Sequence, residues 1–175
     1  MRFITGLLIG AVFAITVLVS FTNNTNQTTA NVMTNQVTKV NNEDLEWLAK
    51  TIYFEARGES LAGMLAVGLV VENRTKNGLS IKQVVTAGKR DSNGVIIRCK
   101  FEWYCSYSPN KIDYGSDSWK KSLSVAGAIL ENRIFDFTDG ATHFVNPKLT
   151  KEHLKWGFSK VAEIGNHSFF REDKK

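Results

Sequence analysis

The sequence predicts an α+β domain with a largely helical core, and three observations predict it. Apolar residues recur at three- and four-residue spacing over residues 43–57, 61–75 and 117–133, the period of a helix that buries one face. Helix-stopping residues (Gly58, Asn77-Gly78 and Thr138-Asp139-Gly140) stand at the ends of these runs. Short β-branched and aromatic stretches occur only in the middle and toward the end, so a few strands sit beside the helices and do not alternate with them.

The first helix, over residues 43–57, carries Leu45, Leu48, Ile52 and Ala56 on one stripe, with Asn42 as its N-cap. Gly58 is expected to end it in a left-handed conformation. Ser60 caps a second helix that runs to about residue 75 and buries Leu61, Leu65, Val67, Leu69 and Val70. The two form a tight helix-turn-helix. Ser80 with Gln83 has the capping-box spacing, which gives a short third helix to about Ala87. Asp91-Ser92-Asn93-Gly94 is a turn, and residues 95–107 form either a short hairpin or an irregular loop pinned by two cysteines. Ser116 or Asp117 caps a fourth helix with Trp119, Leu123, Ala126, Ile129 and Leu130 in phase as far as Arg133. Thr150 and His153 open a short helix ending near Trp156-Gly157. Residues 161–164 and 168–171 flank Gly165-Asn166 as a terminal hairpin. No internal repeat is present.

A chain of 175 residues, 43% of them hydrophobic, can bury one core. After Arg2, residues 3–21 are uncharged and long enough to cross a bilayer, as a signal peptide or a membrane anchor. The absence of a small-x-small cleavage site favours an anchor. Residues 22–42, dominated by Asn, Thr and Gln, read as a flexible linker, which leaves residues 43–175 as the domain. The net charge of +5 is spread among acidic residues, which argues against nucleic acid and suits either weak, salt-screened attraction to an anionic polymer or an ordinary solubility charge. Cys99 and Cys105 suggest a short-loop disulfide in an exported chain, against free thiols or a metal pair. The three histidines lack a zinc-ligand pattern, so neither metal nor other cofactor is expected.

Glu55 is the leading catalytic candidate. It sits beside the apolar stripe near the corner between the first two helices, where desolvation raises a carboxyl pKa toward the range a general acid needs. Tyr53-Phe54-Glu55-Ala56-Arg57-Gly58-Glu59, then Gly63, Ala66-Val67-Gly68 and Glu72-Asn73-Arg74, resemble the opening of the SleB/CwlJ-type cell wall hydrolase family. Ala141-Thr142-His143-Phe144, Asn146-Pro147, Trp156 and the run from Ile164 to Arg171 resemble its closing blocks, in the same order. The resemblance implies a single lysozyme-like domain, also similar to lytic transglycosylases, in which a glutamate at a helix end faces a sugar-binding cleft. It implies cleavage of peptidoglycan glycan strands.

Glu59 is the candidate second carboxylate, or alternatively an acidic residue at the N-terminus of the second helix. Arg57 is a candidate for a substrate carboxylate, and Asn73 and Arg74 for bracing the corner. Trp103, Tyr104 and Tyr107 form the densest aromatic cluster, with Trp103 and Tyr107 offered to sugar rings and Phe101 to packing. His143, Asn146 and His167 enter as substrate-binding candidates through the family-like blocks. Because Glu59 and aspartates such as Asp113 lack a comparable context, a transglycosylase needing one glutamate is the preferred reading. Its rivals are an N-acetylmuramoyl-L-alanine amidase with a metal site assembled from His143, His153 or His167 with a carboxylate, and a non-catalytic wall-binding module.

Overall fold

The computed structural model describes residues 40–106, 111–155 and 157–172. The expectations for residues 3–21, for the linker up to residue 39, for Tyr107, for Trp156 and for the His153 side chain lie outside what it describes. Helix α1 (Asn42–Ala56) begins one residue earlier than the sequence suggested, because Asn41 is the cap and not Asn42: its Oδ1 accepts the Glu43 N–H at 3.0 Å. The end of α1 also differs from expectation. Arg57 stays right-handed and Gly58 is not among the positive-φ glycines, so the chain turns through a Glu59 N–H to Ala56 carbonyl bond of 2.9 Å without a left-handed residue.

Helix α2 (Leu61–Thr75) is capped by Ser60, whose hydroxyl accepts the Gly63 N–H at 3.3 Å. Leu61 is not buried as its spacing implied. It is 64% exposed and Ala62 beside it is exposed as well, whereas Gly63 and Met64 are already buried. From Gly63 onward the helix is buried on nearly every side, with Met64, Ala66, Val67, Leu69, Val70 and Val71 in the core and Leu65, expected among them, only partly buried against it. Gly68 permits this, since a Cβ there would strike Ile129 and Ile52.

Helix α3 (Ile81–Val85) has the full Ser80–Gln83 capping box. Strands β1 (Gly88–Arg90) and β2 (Ile96–Cys99) then form an antiparallel hairpin around a turn in which Asp91 Oδ1 accepts the N–H groups of Asn93 and Val95, both at 2.9 Å. Helix α4 (Glu102–Cys105) follows, and the Cys99–Cys105 disulfide ties its end to β2. Helix α5 (Asp117–Leu130), capped by Ser116, stops three residues short of Arg133, because Asn132 turns left-handed and the Arg133 N–H bonds to Ala128.

The second half adds a three-stranded antiparallel sheet in the order β3–β5–β4, from β3 (His143–Val145), β4 (Phe158–Ile164) and β5 (His167–Glu172). A 3-10 turn (Pro147–Leu149) and helix α6 (Thr150–Leu154) link β3 to β4. The sequence indicated the β4–β5 hairpin but not β3, which is too short to show a two-residue period. Leu48 and Ile52 of α1, Leu69 of α2, Ile129 of α5 and Phe169 of β5 meet in one core. Each such side chain contributes roughly 1.5–3 kcal/mol relative to exposure. This core holds the α1–α2 corner rigidly against the sheet.

Candidate active site

Glu55 lies in the last turn of α1, partly buried beside the corner. Burial pushes its pKa up to about 6, the Glu102 carboxylate adds to the rise, and the Arg74 guanidinium opposes it. Arg74 enters from the last turn of α2 and is itself pushed down to about 10 by burial, with Glu55 acting to hold its charge. Its Nε donates to the Thr142 carbonyl at 2.6 Å, and its guanidinium lies 5.1 Å from the centre of the Phe101 ring. These contacts fix one cation near the acid without quenching it.

The corner is locked from the sheet side. Glu59 Oε2 accepts the Asn166 N–H and Oε1 accepts the Asn166 side-chain amide, each at 3.0 Å. Gly165 at φ 58° makes the two-residue turn, and a Cβ on it would fall onto Glu59 Oε2. These bonds hold the Glu59 carboxyl below its usual range. His167 Nδ1 lies 3.9 Å from Glu59 Oε1, and burial lowers the His167 pKa against the pull of that carboxylate. A second node holds the loop before β3. Asn73 Nδ2 donates to Asp136 Oδ2 at 2.9 Å and to the Ala141 carbonyl at 3.0 Å, while Asp136 also accepts the Thr138 and Gly140 N–H groups. Asn73 and Arg74 thus tie the end of α2 to residues 136–142.

The remaining candidates do not gather at one place. Trp103 is packed and not offered to solvent: it is 7% exposed, stacks on Phe54 at 4.9 Å between ring centres and touches Trp47 and Tyr104. Only an edge reaches a small cleft of about 260 Å³ shared with Phe54, Arg57, Ser106 and Lys111. Arg57 sits over Tyr53, 4.9 Å from its ring centre. Asn146 spends its Oδ1 on the Lys148 N–H, capping the 3-10 turn. Asp113 accepts the Gly115 N–H and shapes a turn. His143 packs on Phe158, with Nδ1 3.0 Å from the Thr142 hydroxyl, and faces a larger cleft of about 470 Å³. Phe101 is interior.

Two residues gain importance that the sequence did not single out for it. Glu102 acts on Glu55 from α4, and Lys100 lines the larger cleft together with Arg74, His143 and Arg171. Only their position beside the two cysteines could have drawn attention to them.

Residues 58–170 match the family described as cell wall hydrolase. The match begins three residues after Glu55, so the candidacy of Glu55 rests on its geometry. The fold is similar to the catalytic domain of the germination-specific lytic transglycosylase SleB from Bacillus anthracis, at 22% identity and a TM-score of 0.51, over 77% of this chain and 98% of that one. The catalytic domain of the Bacillus cereus SleB protein also aligns, at 25% identity and a TM-score of 0.48, over 77% and 94%. No curated protein matches the sequence.

Proposed function

The chain belongs to the cell wall hydrolase family, so its substrate is peptidoglycan and its place of work the cell envelope, and on that premise we propose that it cuts the glycan strand at muramic acid as a lytic transglycosylase with Glu55 as acid and then base. The observation that carries this reading is Glu55 itself, a carboxyl at a helix-end corner whose pKa of about 6 leaves about a tenth of it protonated at pH 7. Glu55 gives its proton to the glycosidic oxygen as the bond from that oxygen to the muramic anomeric carbon breaks. The C6 hydroxyl oxygen of the same sugar bonds to that carbon and returns its proton to Glu55. No water is consumed, and a 1,6-anhydro ring results. Glu59, held twice by Asn166, serves as a strut in this scheme.

One observation favours a second reading. Glu102 is near enough to raise the Glu55 pKa, so hydrolysis with Glu102 guiding a water is the alternative. Mass spectrometry of the products decides between them: anhydro ends carry one water fewer than reducing ends. A metal-dependent amidase would release peptide stems and leave the glycan intact. Among the described residues no three His, Cys, Asp or Glu side chains are grouped to hold an ion, and insensitivity of lysis to chelators is the expected outcome. A module that only binds walls would not clear them at all. We also propose residues 1–21 as the export signal or anchor and 22–40 as a linker that ends at the Asn41 cap of α1; among the described residues no helix is long and apolar enough to cross a membrane.

A further inference from the structure

The larger cleft, of about 470 Å³, is within the size range of small-ligand sites, roughly 300–1,000 Å³. Its lining is unlike that of a sugar groove. Arg74, Lys100 and Arg171 bring three cations to it, His143 stands beside them, and Glu172 is its one acidic residue. Leu79, Val84 and Ala87 give it an apolar wall, and Leu79 is 45% exposed there. Sugar hydroxyls are neutral and need neither the cations nor the aliphatic wall. A short peptide with free carboxylates and small aliphatic side chains needs both.

We infer that this cleft is a subsite for the peptide stem carried by the muramic residue, with a stem carboxylate held between Lys100 and Arg74. The inference rests on the glycan-cleaving reading for its substrate and deepens it. Arg74 is the link: it lines the cleft and its charge also acts on Glu55, so a group bound there shares a cation with the acid. The stem leaves the same sugar ring whose anomeric bond is cut, and this proximity is what its attachment requires. Arg74 already gives its Nε to Thr142, and Arg171 is paired with Asp139 at 2.7 Å. Lys100 makes no ion pair among the described residues and is the cation left to accept a ligand. Stem recognition would then bind muramic acid bearing a peptide in preference to bare glycan.

The test uses the full chain and a soluble stem tripeptide, L-alanyl-γ-D-glutamyl-L-lysine, with inorganic phosphate as the control anion. Amide shifts in NMR titrations are expected at Gly140, Thr142, His143 and Lys100. Lys100→Glu should weaken the peptide about tenfold or more, and Glu172→Gln should tighten it a few-fold. Both positions are exposed, and a thermal melt confirms that each variant folds. Absence of peptide shifts in the cleft, an unchanged affinity in Lys100→Glu, or phosphate binding as tightly as the peptide would each overturn the proposal. Peptide binding involves no turnover, so its failure leaves glycan cleavage standing, and loss of the transglycosylase reading leaves the binding result intact.

Discussion

Glu59 grips Asn166 with both carboxylate oxygens, and through that pair the α1–α2 corner is fastened to the turn of the β4–β5 hairpin. Hydrogen bonds to a charged group are worth more than neutral ones, so Glu59→Ala should destabilise the fold by about 2 kcal/mol. Glu59→Gln should lose less, and its wall-clearing rate at low temperature should stay within several-fold of wild type. The bonds depress the Glu59 pKa below 4.5, so their stabilisation is present above that pH and is lost as pH falls through the lowered value. Wild type should therefore lose more stability than Glu59→Gln between pH 5 and pH 3. A hundredfold activity loss in a well-folded Glu59→Gln would make Glu59 a reacting carboxylate.

Replacing Glu55 by Gln removes the proton donor and keeps its shape. Turbidity clearing of purified walls should slow by ~10²-fold or more. The raised pKa means that the folded state favours the protonated carboxyl, so wild-type stability declines as pH rises from 4.5 through about 6. The neutral amide avoids this loss, and Glu55→Gln should melt at or above the wild-type temperature at pH 7. Near wild-type lysis by this variant would falsify the central assignment.

The Glu102 carboxylate raises the Glu55 pKa, so Glu102→Gln should lower it and move the alkaline limb of the activity profile to lower pH. Below that limb the rate should match wild type. A loss of the same size at every pH would show Glu102 taking part in the chemistry and would favour hydrolysis.

Digestion of purified peptidoglycan should yield 1,6-anhydromuramic ends. Hydrated muramic or glucosamine termini alone would defeat the transglycosylase scheme.

The Cys99–Cys105 bond closes a very short loop around α4. On chain-entropy grounds its reduction should remove roughly 2 kcal/mol, seen as a lower melting temperature in dithiothreitol. An unchanged melt would mean that the loop is as well ordered without the bond.

What could be read from the sequence was local. Ser60, the Ser80–Gln83 box and Ser116 cap their helices within three residues, so spacing alone revealed them. Glu55 could be offered as a candidate because its apolar stripe and the corner lie beside it. Of its electrostatic neighbours, Arg74 was offered as a brace of the corner through the Glu72-Asn73-Arg74 block, whereas Glu102 comes from another element and no period links it to Glu55. The exposure of Trp103 was misjudged for the same reason: polar residues beside it in sequence do not tell which side Phe54 and Trp47 cover. Gly58 was given a backbone role that a tight helix corner does not require.

The Glu59–Asn166 clasp joins positions 107 residues apart, and the glycine that permits it stands next to Asn166. A chain emerging from the ribosome has made both corner helices long before the partner of Glu59 exists, and closing so long a loop is among the slower steps of folding. A wall-cutting enzyme built this way carries its own delay. Glu55 is in place early, but the hairpin turn that holds its corner arrives with the last strands, so nascent or truncated chains ending before residue 166 should be inert toward the envelope of the cell that makes them.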